Sequence, residues 1–185
     1  INNAAGLHFN YADDMRGEVE LTPAGNILVA SCTQSTDFPT TAGAYRTTFS
    51  GGTHDAVLFE MDQGLGNLNW STFLGGTAAD AAYSVEVDAS GNLLLAGGST
   101  STDLPTSPNA AMASYQGGTA DGFAAKFNAN GSALLACTYY GSTAYDQFYF
   151  VGLDHADNVY LFGQTSAPAG ELINGASYFE NTGGQ

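Results

Sequence analysis

Residues 83–106 read YSVEVDASGNLLLAGGSTSTDLPT, and this stretch decides the fold. Apolar and polar residues alternate over residues 83–88, which predicts a β-strand with one buried face. The continuous apolar run at residues 93–97 predicts a second strand that is covered on both faces. Gly91 lies between the two strands and can adopt a positive φ, so a tight turn is predicted there.

The framework positions of this stretch recur with a spacing of 66 residues. The sets that keep the spacing are Asp14, Asp80 and Asp146; Val19, Val85 and Val151; and Asn26, Asn92 and Asn158. In the connections, TDFPT at residues 36–40 matches TDLPT at residues 102–106, and GGT at residues 51–53 matches GGT at residues 117–119. Self-similarity at a fixed period is the signature of a repeat architecture.

Each repeat unit carries four predicted strands. In the second unit, the third and fourth strands are predicted over residues 122–127 and 134–140. Four short antiparallel strands per unit, with the sheets packed face to face, are typical of β-propeller blades. We therefore predict an all-β chain of tandem four-stranded antiparallel blades in a partial propeller ring. The alternative fold is a β-solenoid or a stack of separate sandwiches, although a solenoid coil usually spans about 20–30 residues.

The repeat register divides the chain, interpreted as one domain, into four units. We expect residues 1–13 to end a preceding blade, residues 14–79 and 80–145 to form two complete blades, and residues 146–185 to form an incomplete one. Three copies do not close a ring of about 4 to 8 blades. The remaining blades are expected from the rest of a longer chain or from another chain.

A family resemblance rests on residues 83–106, on GGTADGFAAKF at residues 117–127 and on Tyr140-Gly141. These segments resemble the SBBP (seven-bladed β-propeller) repeat of large bacterial secreted and surface proteins. The resemblance implies a non-enzymatic scaffold or adhesive module, located outside the cell or at its surface, and it carries over no catalytic residue. In the third unit APAGE at residues 167–171 replaces the TDLPT segment, so we predict a different loop shape there.

The charge of the chain is strongly acidic. Eighteen Asp and Glu residues stand against three Lys and Arg residues, which gives a net charge of −15. A surface of this charge repels the phosphate backbone of nucleic acids and anionic membrane surfaces. No apolar stretch approaches the roughly 20 residues of a membrane-spanning helix, so membrane insertion is not expected. A protein or a surface glycan is the expected partner.

The predicted interaction face is an edge of the sheets where acidic residues collect. In an antiparallel unit, the connections after the second and the fourth strand emerge at the same edge. The residues predicted to form the interaction face there are Asp37, Asp55, Asp103 and Asp121. Residues 99–120 form the long connection of the second unit, and loops on a rigid scaffold are the usual place for binding.

The repeated aspartates have two interpretations. Carboxylates suit Ca²⁺, and Asp80, Asp103 and Asp121 are the candidate ligands. An aspartate at a strand entry also caps backbone N–H groups through Asx turns. Repetition in every unit favours the capping role, and no cofactor other than Ca²⁺ is expected.

Other candidates for chemistry depart from the repeat framework. The histidines are His8, His54 and His155. His54 precedes Asp55, but no nucleophile motif accompanies the pair, and an enzyme is not predicted. Glu18 and Glu20 are two residues apart, and paired carboxylates are typical of glycosidases. Glu20 and its counterpart Glu86 are nevertheless interpreted as solvated residues of a central channel.

Three further residues are interpreted as structural. Trp70 is predicted to be a packed core or rim aromatic rather than a platform for a sugar. Cys32 and Cys137 fall in different units and different predicted strands, so we predict two buried free thiols rather than a disulfide.

The predicted function is that of a scaffold or adhesive interaction module. A carbohydrate-binding or carbohydrate-active propeller is the alternative, and a passive spacer stays open. A lectin-like propeller would repeat aromatic and polar binding residues in each unit, whereas the repeated residues here are mostly Gly, Asp, Pro and aliphatic residues.

Overall fold

The computed structural model describes residues 17–168 and 171–172 of the chain. This part is built from strands and contains no helix. The strands are β1 (Glu18–Leu21), β2 (Ile27–Thr33), β3 (Asp55–Met61), β4 (Leu68–Leu74), β5 (Asp80–Val87), β6 (Leu93–Ser99), β7 (Asp121–Phe127), β8 (Leu134–Tyr140), β9 (Asp146–Leu153) and β10 (Val159–Thr165). The all-β prediction is confirmed for the described residues.

The ten strands form three antiparallel sheets. Sheet 1 contains β1 to β4 and sheet 2 contains β5 to β8, each in chain order, while sheet 3 pairs β9 with β10. The predicted four-stranded antiparallel unit is thus confirmed twice. The described sheets do not close into a ring.

Tight turns join the first two strands of sheets 2 and 3. Gly91 has a φ of 80°, as predicted, and Asp157 occupies the same position in sheet 3 with a φ of 59°. Aspartate tolerates this left-handed conformation better than most residues. The carboxylates of Asp88 and Asp154 each accept a hydrogen bond from the backbone N–H four residues on, at 2.8 and 2.9 Å.

Strand β5 begins earlier than the sequence alternation indicates, at Asp80 rather than Tyr83. A register shift against β6 leaves Tyr83 in a β-bulge. Tyr83 packs beside Tyr149, with ring centroids 6.5 Å apart, in a different core cluster from Val85. The bulge therefore separates two residues that strict alternation predicted to act as one face.

The main core lies between sheets 1 and 2. Leu28 and Leu58 of sheet 1 pack with Val85, Leu95 and Phe123 of sheet 2, and each of the five is at most 1% exposed. Burial of such a side chain contributes roughly 1.5–3 kcal/mol. Each sheet is therefore stabilised largely by the sheet next to it.

Three valines hold the same register position in the first strands of the sheets, as predicted. The pairs are Val19 with Val29, Val85 with Leu95, and Val151 with Leu161. Val85 and Val151 are 0% and 6% exposed, whereas Val19 is 63% exposed. The difference arises because Val85 and Val151 each face the preceding sheet, and no described sheet precedes sheet 1.

The first strands of consecutive sheets lie side by side and are joined by side chains. The Glu18 carboxylate accepts a hydrogen bond from Val85 N at 2.7 Å. Sixty-six residues on, Ser84 Oγ accepts a hydrogen bond from Val151 N at 3.0 Å. The same position in β1 and β5 thus holds the backbone of the next sheet.

The long loops after β2 and β6 run along the outer edges of β4 and β8. Thr41 N donates to Ser71 O at 3.3 Å, and Phe73 N donates to the carbonyl oxygen of Arg46 at 3.0 Å. The second loop repeats both bonds, from its own backbone to Cys137 O and from Tyr139 N, at 2.9 and 3.1 Å. The middle of each loop therefore covers a strand edge instead of standing free at the predicted binding edge.

Some predictions lie outside the described residues. They concern Asp14, His8 and the end of a preceding unit at residues 1–13. The described residues include no helix that could span a membrane. Cys32 and Cys137 are buried and unpaired, as predicted, and burial raises the pKa of each thiol to about 12.

Replacement of Gly118 by Ala should destabilise the fold more than replacement of Gly43 by Ala. Both glycines have a positive φ, 67° and 85°, so either change costs about 1–2 kcal/mol in backbone strain. A Cβ on Gly118 would also overlap the carbonyl oxygen of Ala144, whereas a Cβ on Gly43 meets nothing within 4 Å. We expect a further loss of ~1–3 kcal/mol for Gly118→Ala, measured by urea denaturation. Equal losses of stability for the two variants would contradict the close packing of the loop at Gly118 against Ala144, which lies between sheets 2 and 3.

Candidate functional site

The segment that joins sheet 1 to sheet 2, residues 75–79, is called a crossing, and it ends at a buried aspartate. Asp80 is the first residue of β5 and is 0% exposed. Its carboxylate accepts hydrogen bonds from Gly76 N at 2.7 Å, from Ser101 Oγ at 2.8 Å and from Ser99 Oγ. Its own N–H donates to His54 O at 2.9 Å. The Asp80 carboxylate therefore holds three segments together: the crossing, the end of β6 and the start of the long loop after β6.

The crossing from sheet 2 to sheet 3, residues 141–145, repeats the bond to the crossing and the bond to the residue before the third strand, while Oδ1 of its aspartate, Asp146, has no hydrogen-bond partner among the described residues. Asp146 begins β9, and its Oδ2 accepts hydrogen bonds from both N and Oγ of Ser142, each at 2.6 Å. Asp146 N donates to Ala120 O at 2.9 Å. The structure thus places both aspartates as caps of the crossing, which is the structural interpretation of their repetition.

A second aspartate lies beneath each crossing. Asp55 and Asp121 begin β3 and β7, and both are 0% exposed. One oxygen of each accepts a backbone N–H five residues earlier, at 2.5 Å, and the other oxygen has no hydrogen-bond partner among the described residues. A Cβ on Gly75 would lie 2.6 Å from Asp55 Oδ1, so glycine is required for this approach.

The burial of Asp55 and Asp121 corrects the predicted interaction face. The sequence placed them at the binding edge with Asp37 and Asp103, and the structure puts them below its surface. Asp37 and Asp103 are exposed. The part of the predicted face that a partner can reach is therefore Asp37 and Asp103.

Burial perturbs the titration of these carboxyl groups. Burial, opposed by the Gln116 N–H bond and reinforced by nearby Asp146, raises the pKa of Asp121 to about 7. Burial, opposed by hydrogen-bond donors and reinforced by Asp55, raises the pKa of Asp80 to about 6. The crossings therefore carry buried groups that change charge near neutral pH.

The two crossings differ in one cation. Arg46 lies near Asp55 and donates to Gly75 O at 2.7 Å, and its charge opposes the rise that burial causes in the pKa of Asp55. The counterpart of Arg46 in the next unit is Met112, whose sulfur accepts a hydrogen bond from Gly141 N at 3.5 Å. The second acidic crossing therefore lacks the guanidinium that accompanies the first.

Exposed acidic side chains at the edge of the sheets that carries the crossings also bind each crossing from its solvent side. Asp103 Oδ1 accepts hydrogen bonds from Thr77 N and Oγ1 at 2.8 and 3.1 Å. Glu171 does the same for Thr143, at 3.1 and 3.0 Å. The altered third unit thus keeps the contact with a longer side chain placed two residues later. No repeat register identifies Glu171, because register compares only equivalent positions.

A polar groove opens at this edge above the first crossing. It has a volume of about 300 Å³ and is lined by Arg46, Ser50, Gly75, Thr77 and Asp103. No motif in the sequence predicted this groove. Its signal was the unusual position of Arg46, one of three basic residues in an acidic chain.

The calcium candidates are not brought together as a ligand set. Within residues 17–168 and 171–172, no three of the His, Cys, Asp and Glu side chains converge on one point. The oxygens of Asp80 are occupied by three internal donors, and Oδ1 of Asp103 accepts from Thr77. The donor sets present fit backbone capping better than Ca²⁺, which takes 6–8 oxygen ligands.

The other candidate residues occupy structural positions. His54 is fully buried, its ring nitrogens contact Gln34 and Thr53 at 2.8 and 3.0 Å, and burial lowers its pKa. Its ring therefore contacts an amide and a hydroxyl and not Asp55. Trp70 is 8% exposed and packs in the core, as predicted.

The glutamates of the first strands lie close together. Burial and the charges of Glu20 and Glu18 raise the pKa of Glu86. Glu18 is engaged by the hydroxyl of Ser84 at 2.5 Å and by Val85 N. This bond gives Glu18 a structural role between two sheets.

Comparison of the chain with models of known protein families and with curated proteins found no match.

Replacement of Asp121 by Asn should flatten the pH dependence of stability. A carboxyl group with a raised pKa binds more protons in the folded than in the unfolded state. Its contribution to the free energy of unfolding is therefore present at about pH 4 and is lost as the pH rises to about 7. Asn keeps an oxygen for Gln116 N–H and stays uncharged. Urea denaturation should show that the free energy of unfolding falls less between pH 4 and pH 8 for the variant than for the wild type.

Replacement of Asp37 by Asn is the matched control for this measurement. It removes the same charge from an exposed site and should leave the pH profile close to that of the wild type. Identical profiles for Asp121→Asn and the wild type would show that Asp121 does not titrate in this range.

Proposed function

We propose that the chain is a section of a β-propeller of the SBBP type, in which each sheet is a blade. The proposal is supported by two four-stranded antiparallel sheets with the same internal order and by the same hydrogen-bonded crossing after each. The first strands of consecutive sheets lie together, as the inner strands of blades do. A ring of such blades removes the exposed faces that the isolated sheets would present.

The propeller section serves as a non-enzymatic scaffold or adhesive module of a large secreted bacterial surface protein. The observation that carries this proposal is the repeated acidic edge, where Asp103 and Glu171 are exposed and yet fixed by hydrogen bonds to the crossings. Rigid, regularly spaced carboxylates favour a cationic partner or one bridged by a metal ion. The partner is a protein or a surface glycan that presents such groups.

The carbohydrate-binding and carbohydrate-active alternatives draw less support from the described residues. The single tryptophan, Trp70, packs against Gly131 in the core and has no open face for a sugar ring. Glu18 and Glu20, the paired carboxylates, lie on a first strand where Glu18 holds the next sheet.

Neutralisation of the acidic edge should weaken binding of a cationic probe. A decalysine peptide is expected to bind Asp37→Asn/Asp103→Asn about three- to tenfold more weakly than the wild type, because each exposed ion pair contributes up to about 1 kcal/mol. Binding should also weaken between low and physiological salt. Isothermal titration calorimetry measures both effects.

The matched control removes two charges from the opposite edge. Asp62 and Asp157 lie in the tight turns there, and Asn keeps the oxygen that accepts Gly66 N at position 62 and Ala89 N at position 157. The variant Asp62→Asn/Asp157→Asn should bind the peptide nearly as the wild type does. If it loses as much affinity as the acidic-edge variant, attraction is a matter of net charge and the proposed functional face is wrong.

A further inference from the structure

A cavity of about 320 Å³ lies between sheets 2 and 3. Its lining is mostly apolar and includes Leu94, Ala124, Ala136, Val151, Val159 and Leu161. Val159 and Leu161 belong to β10, and they are 46% and 36% exposed. Apolar surface of β10 is therefore left uncovered at the cavity.

The repeat shows what this cavity corresponds to. The residues 66 positions earlier are Leu28, Leu58, Trp70, Val85, Leu93 and Leu95, and all six belong to the filled core between sheets 1 and 2. The side chains that fill that core from sheet 2 include Phe123 and Phe127 of β7 and Tyr139 of β8. The cavity thus corresponds to the same core, and counterparts of β7 and β8 are not among the described strands of sheet 3.

The outer backbone edge of β10 differs from that of its counterpart β6 in the same way. Strand β6 pairs with β5 on one side and β7 on the other, and all seven of its residues are buried. Strand β10 pairs with β9 alone among the described strands, and Val159 to Phe162 are 36–65% exposed. An apolar strand with an unpaired edge is a template for another strand.

The details of β10 fit an aromatic partner strand. In sheet 2, Gly97 pairs with Phe123, whose ring lies so close that a Cβ on Gly97 would be 2.8 Å from Cε1. Gly163 is the counterpart of Gly97. On the opposite wall, Ala124 and Ala136 stand where sheet 1 has Leu58 and Trp70, so this cavity has room for larger side chains.

A hairpin fits better than a single strand. In the filled core, the turn between β7 and β8 accepts a hydrogen bond at Gly131 O from Tyr45 N, at 2.9 Å, and the Tyr45 ring packs edge-on against Phe127 at 5.6 Å. The counterpart of Tyr45 is Ala111, which lines the cavity. The loop of sheet 2 thus presents the position that receives the turn of a neighbouring hairpin.

We propose that β10 and this cavity bind a β-hairpin that has the chemistry of the third and fourth strands of the repeat. Its first strand pairs antiparallel with β10, with an aspartate opposite Thr165 and aromatic residues opposite Gly163 and Val159, as in the pairing of β7 with β6. The two aromatic side chains fill the cavity. The inference rests on the proposed propeller section but uses a surface distinct from the acidic edge.

The test uses a synthetic peptide of residues 121–140, the β7–β8 hairpin of this chain, added to the full 185-residue chain. Hydrogen exchange and fluorescence titration with a labelled peptide are measured. We expect saturable binding and slowed exchange at residues 159–165. The peptide with Phe123→Ser and Phe127→Ser should bind at least about a hundredfold more weakly, because two large apolar groups are lost.

Two matched variants of the chain locate the site. Leu161→Asp places a charge on the cavity side of β10 and should abolish peptide binding. Phe162→Asp places the same charge on the other side, where Phe162 is 65% exposed, and should leave binding intact. The acidic-edge variant Asp37→Asn/Asp103→Asn should also bind the peptide normally, so failure of the proposed function and failure of this inference are distinguishable.

Three results would overturn the proposal. The first is the absence of peptide binding, and the second is binding that does not depend on the two phenylalanines. The third is protection of residues 159–165 by self-association that the peptide does not displace, which would identify a second copy of the chain as the occupant.

Discussion

The architecture depends on one buried interaction, the aspartate that begins the first strand of a sheet and caps the crossing before it. Asp80 binds the crossing, the end of β6 and the loop that follows, while its own N–H donates to the carbonyl oxygen of His54, the residue before β3. Removal of one partner would leave buried donors unsatisfied, which costs about 1–3 kcal/mol each. Because Asp146 makes the equivalent bonds to its crossing and to Ala120, the relation of sheet 1 to sheet 2 is passed on to sheet 3.

This dependence has an electrostatic cost. Asp55 and Asp80 lie together in the interior, as do Asp121 and Asp146, and burial opposes the charged form of each group whose pKa is raised. The first crossing offsets the cost with Arg46, and the second does not. Equivalent hydrogen bonds to the backbone of the two crossings thus coexist with different side-chain chemistry.

Much of the fold could be predicted from the sequence because its repeat fixes register. Gly91 was predicted as a turn residue and has a positive φ, and Asp157, 66 residues later, has one too. The bulge at Tyr83 and the depth of Asp121 depend on packing between sheets, which a strand pattern does not contain. Glu171 escaped prediction because a contact can be kept by a longer side chain at a shifted position.

The two crossings place consecutive sheets in the same way, and this has a consequence for symmetry. The contact is heterologous, since the face that one sheet offers differs from the face that it receives. Repetition of one such contact generates a closed ring when the step is a pure rotation and an open helix when it includes a translation. The loops at the acidic edge also contact the next sheet or the next crossing, through Tyr45 against Phe127 and Gly118 against Ala144. A change of loop length there would therefore act on the angle between sheets, and with it on the choice between ring and helix.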